Sequence, residues 1–183
     1  MDVRQLGLDG VLEIVPKRHG DARGYFIETW NAERFAEAGI DLRFVQDNHS
    51  YSAAAGVVRG LHYQLPPRAQ DKLLRVIRGK ILDVAVDIRR SSKSFGKWVG
   101  LEISAEKGNQ ILVPKGFAHG FVTLVPDTEV LYKVTDTYSP AHDRSIRFDD
   151  PDIGIDWPSP AGGFELSAKD LKAPTLAAAE VFA

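Results

Sequence analysis

The chain has 183 residues, enough for one domain with a full core, and its 44% hydrophobic and 26% charged residues exclude a disordered composition. A formal net charge of −2 excludes whole-surface attraction to nucleic acid or anionic membrane, so an anionic ligand has to be held by locally placed Arg and Lys. The lack of cysteine removes disulfides, thiolate zinc sites and thiol nucleophiles together, and suits a reducing compartment.

At the start of the chain, Met1-Asp2-Val3-Arg4-Gln5 carries an early acid and no apolar run, so no signal peptide is expected. No apolar run approaches the length that spans a bilayer, and the expected compartment is the cytoplasm. Strands are predicted at 11–15, 24–30, 42–48, 57–64, 73–78, 81–88, 98–104, 111–113, 118–125 and 130–137, all rich in β-branched or aromatic residues. Turns are supplied by Gly20-Asp21, Arg78-Gly79-Lys80, Lys107-Gly108-Asn109, Pro126-Asp127 and Ser139-Pro140. Asp83, Asp87, Glu102 and Ser104 alternate with apolar neighbours, which predicts strands with one wet face.

Helix is scarce. Asn31 is a good N-cap for a short helix through Ala38, with Gly39 placed to end it. A second helix is predicted from Ser167, whose spacing to Asp170 is that of a capping box with Asp in place of Glu or Gln. The Pro/Gly-rich stretch 158–163 is expected to lead a C-terminal arm, 158–183, back onto the rest. Many regularly spaced strands with few helices predict an all-β, antiparallel barrel or jelly roll in a single domain.

Three clusters of residues carry chemical potential. In Arg59-Gly60-Leu61-His62-Tyr63-Gln64, alternation puts Leu61 and Tyr63 on one face, and Arg59 and His62 on different faces unless a bulge intervenes. His62 taken alone reads either as a satisfied strand residue or as a catalytic imidazole. The run Pro114-Lys115-Gly116-Phe117-Ala118-His119-Gly120, with Gly108 upstream, fits much of the second motif of cupin jelly rolls. Metal-binding cupins surround an ion with His and carboxylate side chains from two strands. Here His62 would be the first ligand, but Gln64 stands in place of a second His and Lys72 in place of the glutamate. A lysine ammonium repels a cation, so the expected site has no metal. His119 is left with two readings, turn-supporting hydrogen bonds or ligand contact. The third cluster is basic: Arg18, Arg23, Arg59, Lys72 and Arg75. Arg18 and Arg75 read as solvated surface, whereas Arg23, in a turn between Asp21 and Gly24, is placed to offer a guanidinium to phosphate. Residue by residue, the pattern reaches a cupin-like barrel with an anion site and stops there.

Taken in order, longer motifs say more. Gly20-Asp21-Ala22-Arg23-Gly24-Tyr25-Phe26-Ile27-Glu28, Phe44-Val45-Gln46-Asp47-Asn48-His49-Ser50 and Val58-Arg59-Gly60-Leu61-His62-Tyr63-Gln64 are followed by Lys72 and Val113-Pro114-Lys115-Gly116-Phe117-Ala118-His119-Gly120-Phe121. Tyr132-Lys133, Tyr138-Ser139-Pro140 and Leu166-Ser167-Ala168-Lys169-Asp170 complete the set. Over nearly the whole chain this resembles the dTDP-4-dehydrorhamnose 3,5-epimerase family.

The resemblance implies a dTDP-linked 4-keto-6-deoxyhexose substrate whose C3 and C5 protons both lie alpha to the ketone. It implies a base on one face of the sugar, an acid on the other, and stabilisation of the enolate between them, with no metal, nicotinamide or flavin. By position, His62 matches the general base, Asp170 the carboxylate that orients it, Tyr132 the proton donor and Lys72 the cation near the C4 oxygen. Arg23, Phe26, Glu28, Gln46, Asn48, Arg59, His119 and Lys169 match residues that hold the diphosphate or nucleoside, and Tyr138 matches an aromatic position at the pocket. Asp143 stands where the family usually has glutamate and is carried as a further ligand candidate. The resemblance also implies a homodimer in which Arg23, Phe26 and Glu28 serve the neighbouring subunit's site. Three rival readings remain at this point: a single-centre epimerase of another deoxysugar pathway, a non-catalytic sugar-nucleotide-binding cupin, and a metal-dependent cupin oxygenase, the last disfavoured by Gln64 and Lys72.

Overall fold

A computed structural model describes residues 1–158 and 160–183. Strands β1 (Asp2–Gln5), β2 (Leu12–Val15), β3 (Arg18–Asp21) and β4 (Gly24–Ile27) come first, then helix α1 (Ala32–Glu37). They are followed by β5 (Gln46–Ser52), β6 (Val58–Gln64), β7 (Lys72–Arg78), β8 (Lys80–Asp87) and β9 (Trp98–Ser104). The last strands are β10 (Gln110–Val113), β11 (Phe117–Thr123), β12 (Thr128–Val134) and β13 (Asp143–Ser145). Two antiparallel sheets, ordered β1-β2-β10-β7-β12-β5 and β13-β6-β11-β8-β9, face each other as a cupin-like jelly roll, with β3-β4 as a separate two-stranded hairpin.

The two sheets share one interior. Leu74, Val76 and Val130 of the six-stranded sheet meet Ile81, Ala85 and Phe121 of the five-stranded one. Each sheet is also covered outside. Ile14, Leu73 and Leu112 lie under Phe35 of α1 and Ile40, while Leu61, Val84 and Val86 lie under Ile153, Trp157, Leu176 and Ala179 of the C-terminal segment. Strand β8 is therefore buried on both faces, which overturns the wet-face expectation at Asp83 and Asp87, both fully buried. Their alternation is real, but the polar positions face the barrel interior. Ser104 is buried as well, and Glu102 alone of the four remains partly open, paired with Lys107.

The helix at α1 forms as its caps dictate: Asn31 Oδ1 accepts from the Arg34 N–H at 3.2 Å, and Gly39 follows the last turn at φ +82°. The second predicted helix is only a 3-10 turn over Asp170–Lys172. Ser167 Oγ does accept from the Asp170 N–H at 3.1 Å, but the Asp170 carboxylate is bonded elsewhere, so the reciprocal half of the capping box is missing. Pro174 shortly afterwards is incompatible with further helix. Of the stretch 158–163, Ser159 lies outside the described residues. Beyond it, Glu165 is bridged to Val57, and Phe182 to Arg89.

Candidate active site

The base candidate owes its orientation to a bulge. On β11, His119 and Phe121 are two steps apart; their partners on β6, His62 and Arg59, are three steps apart. The extra residue on β6 brings Arg59 and His62 onto the same cavity, although strict alternation separates them. Gly60 makes this possible: its φ of +148° suits glycine, and a Cβ there would lie 2.5 Å from Gly120 Cα on the neighbouring strand. Leu61 turns outward and is fully buried against the C-terminal segment.

His62 Nε2 is 2.5 Å from Asp170 Oδ1. The imidazole is 31% exposed and the carboxylate 3%, so the pair presents its imidazole end to the cavity. Burial works to raise the Asp170 carboxyl, but the hydrogen bond and charge of His62, with help from Ser167 and Lys169, hold it below the usual carboxylate range. An ionised Asp170 only accepts, so Nε2 carries the proton and the Nδ1 lone pair is left to act as base.

Lys72 opens β7 and is 9% exposed, its Nζ donating to the His62 carbonyl at 3.1 Å. Burial lowers its pKa to about 8, against the pull of Asp83 and Asp143 and with a smaller push from Lys169. In the same cavity His119 Nε2 is 2.9 Å from Asp83 Oδ2, both side chains buried. Burial lowers the imidazole and raises the carboxyl, so both shifts favour the neutral partners. His119 is hydrogen-bonded within the barrel, to Asp83 of the neighbouring strand instead of to a turn, and it lines the cavity.

Tyr132 comes from β12 on the opposite sheet. Burial raises its phenol above the ordinary value, with Arg59 pulling the other way, so it stays protonated and can donate at neutral pH. Arg59, His62, Lys72, His119, Tyr132 and Asp170 line one cavity of about 410 Å³, within the range of small-molecule sites. A smaller recess of about 190 Å³ shares His62, Lys72 and Tyr132 with it and adds Gln46, Asn48, Tyr138, Asp143 and Lys169. There Gln46 Nε2 donates to Asn48 Oδ1 at 2.8 Å, the Tyr138 hydroxyl donates to Asp143 at 3.4 Å, and Lys169 is ion-paired to Asp143. The shorter Asp143 therefore reaches the lysine directly.

Three predicted ligands are not brought in. Arg23 is paired to Asp21 with its side chain 91% exposed, and Phe26 is 68% exposed. Both line a recess of the β3-β4 hairpin that contains none of the residues around His62. Glu28 is ion-paired with Arg34 at 3.1 Å. Gln64, in the cupin ligand position, is buried and donates to the carbonyls of Arg68 and Thr137 while accepting from the Ser139 N–H. Among the described residues no group of three or more His, Cys, Asp or Glu is placed to hold a metal ion. The residue that sequence reasoning missed is Asp83, which anchors His119 and faces Lys72; its signal was an acid at the inward-facing position between Ile81 and Ala85.

An imidazole on one sheet paired to a carboxylate from the C-terminal segment, with a phenol and a buried ammonium on the facing sheet, makes an arrangement able to transfer protons inside a cupin-like jelly roll. The family model for dTDP-4-dehydrorhamnose 3,5-epimerase matches residues 5–178. The chain belongs to that family of epimerases. It is 50% identical to the dTDP-4-dehydrorhamnose 3,5-epimerase of Sinorhizobium fredii over 96% of this chain and 90% of the relative. It is 48% identical to that of Pseudomonas aeruginosa over 100% and 99% of the two chains. It also matches the crystal structure of the Legionella pneumophila dTDP-6-deoxy-D-glucose-3,5-epimerase in complex with dTDP-4-keto-L-rhamnose, with a TM-score of 0.92, 46% identity, and coverage of 97% of this chain and 93% of that one. Among the described residues no helix is long and apolar enough to cross a membrane.

Proposed function

We propose that this chain converts dTDP-4-dehydro-6-deoxy-glucose to dTDP-4-dehydro-rhamnose by inverting C3 and C5 on either side of the C4 ketone. The observation that carries the reading is the placement of His62, paired to Asp170 of the C-terminal segment, on one sheet and of Tyr132 and Lys72 on the facing sheet, all around one cavity. His62 removes the proton alpha to the ketone, and Asp170 stabilises the imidazolium that results. Negative charge moves to the C4 oxygen, where the Lys72 ammonium balances it. Tyr132 then protonates carbon from the other face, which inverts the centre. Because the enolate is held by an ammonium, the reaction calls for no metal, nicotinamide or flavin.

In the same reading Arg59 takes the diphosphate, Gln46, Asn48, Asp143 and Lys169 frame the nucleotide, Tyr138 packs on it, and His119 meets the substrate from below. Arg23, Phe26 and Glu28 belong to the site of a second copy, and the protein acts as a homodimer. The exposed side chains of Arg23 and Phe26 on a hairpin bonded to neither main sheet support that assignment. The chain works as one domain whose C-terminal arm covers the five-stranded sheet, and a cysteine-free sequence suits the cytoplasm.

NMR of dTDP-4-keto-6-deoxyglucose incubated with the protein in D2O tests this directly. Deuterium should enter at both C3 and C5, with L-rhamnose-configured product trapped by a reductase. Label at one carbon alone would make the protein a single-centre epimerase, and no label in protein that still binds dTDP would make it a binding module. Tyr132→Phe separates the two half-reactions. Net epimerisation should fall about 10²-fold or more while exchange with retention persists, because His62 can still remove a proton and return a deuteron. Loss of exchange at both carbons would refute this division of labour.

A further inference from the structure

Among the described residues, Ser50 Oγ is the one buried side-chain nitrogen or oxygen with no hydrogen-bond partner. It lies on β5, where Gln46, Asn48, Ser50 and Ser52 face inward and the residues between them are exposed. Its neighbours on that face are bonded: Asn48 accepts from Gln46, and Ser52 Oγ accepts from Arg59 Nε at 3.3 Å. Across the strand pair Ser50 faces Val130, which offers no polar side chain. Instead it lines the cavity that holds Arg59, His62, Lys72 and Tyr132.

An unpaired hydroxyl withdrawn from water destabilises the free protein, and alanine would remove that burden at little loss of packing. The serine makes sense if a ligand satisfies it. We propose that Ser50 is a specificity-determining residue whose hydroxyl hydrogen-bonds a hydroxyl of the hexose in the bound sugar nucleotide. This rests on the sugar-nucleotide reading above. Its place on β5 favours the sugar over the phosphates. Arg59, bonded to Ser52 at the next inward position, offers the phosphates a cation, whereas Ser50 sits one step nearer Tyr132, which pairs with Asn48. Rotation about χ1 is fast for so short a side chain and lets the hydroxyl meet the incoming oxygen.

The test is Ser50→Ala, read by calorimetric titration with dTDP-glucose and with dTDP, by thermal unfolding of the free protein and by steady-state kinetics. Affinity for dTDP-glucose and kcat/KM should each fall about tenfold, while dTDP affinity holds and the Tm of the free protein stays the same or rises. An equal loss for dTDP would move the contact to the phosphates and overturn the proposal, as would unchanged dTDP-glucose affinity or a lowered Tm with no loss of sugar binding. Failure of the epimerase reading looks different. Wild-type protein that binds dTDP-glucose but exchanges no deuterium refutes that reading, and a tenfold loss of dTDP-glucose affinity in the variant would still support the Ser50 contact.

Discussion

His62→Ala should lower kcat by about 10²- to 10⁴-fold, the range expected for a positioned general base, while dTDP affinity changes by no more than a few-fold. The separation follows from the layout. His62 is paired to Asp170 and also borders the adjoining recess, but Gln46, Tyr138, Asp143 and Lys169 there are held by bonds among themselves and to Asn48, none of which runs through His62. Removing the imidazole also leaves Asp170 buried without its partner. In the wild type the folded carboxyl is held below its ordinary value of 3.8, so its contribution to stability is complete above that value and is lost as pH falls through the folded pKa. The variant lacks most of that contribution, and its acid unfolding should begin at higher pH. Turnover and nucleotide affinity are measured on the same preparation. Retained turnover, or dTDP binding lost by orders of magnitude, would remove His62 from the role of base.

Much of the fold was legible because the strands carry their own punctuation. The predicted strands at 57–64, 73–78, 81–88, 98–104 and 111–113 correspond to β6 through β10 with end-shifts of one residue or none. The stretch 42–48 was placed early: its apolar residues Leu42 and Phe44 cover the outside of the six-stranded sheet, and the strand itself begins at Gln46. Strands β1 and β3 went unpredicted because Asp2–Gln5 and Arg18–Asp21 are mostly polar and exposed, and β13 because Asp143–Ser145 is three polar, half-buried residues; none has an alternating apolar face to reveal it.

The site was harder to read from single residues. Alternation separates Arg59 from His62, and only the contact between Gly60 and Gly120, which sequence spacing does not encode, explains the bulge that reunites them. Ser167 and Asp170 have the spacing of a cap, and the local bond forms, yet the carboxylate reaches a residue 108 positions away. Lys72 and Tyr132 were identified by the ordered family motifs. Their burial and their placement on the sheet facing His62 are properties of the barrel alone.

Lys72→Met should make the protein more stable and much less active. The folded lysine has a pKa of about 8, below its ordinary 10.5, because burial penalises the charged form more than Asp83 and Asp143 favour it. Below pH 8 both folded and unfolded chains carry the proton, and the penalty is fully present. Between pH 8 and 10.5 the folded chain releases its proton first, the unfolded chain binds more, and stability rises with pH until the penalty is gone. The shift corresponds to a penalty on the order of 3 kcal/mol, so methionine, with similar length and no charge, should raise stability at pH 7 by about 1–3 kcal/mol, a gain that vanishes by about pH 10.5. Asp83 keeps its bonds to His119 in the variant. Activity should move the other way. Without an ammonium at the developing oxyanion, kcat should fall about 10²- to 10³-fold, and wild-type kcat should itself decline above pH 8 as the amine loses its charge. Denaturant unfolding at pH 7 and pH 10, set beside the pH–rate profile, reads both effects. A variant that is inactive but destabilised at neutral pH would show that the ammonium is a structural partner within the barrel, and the enolate would need another source of positive charge.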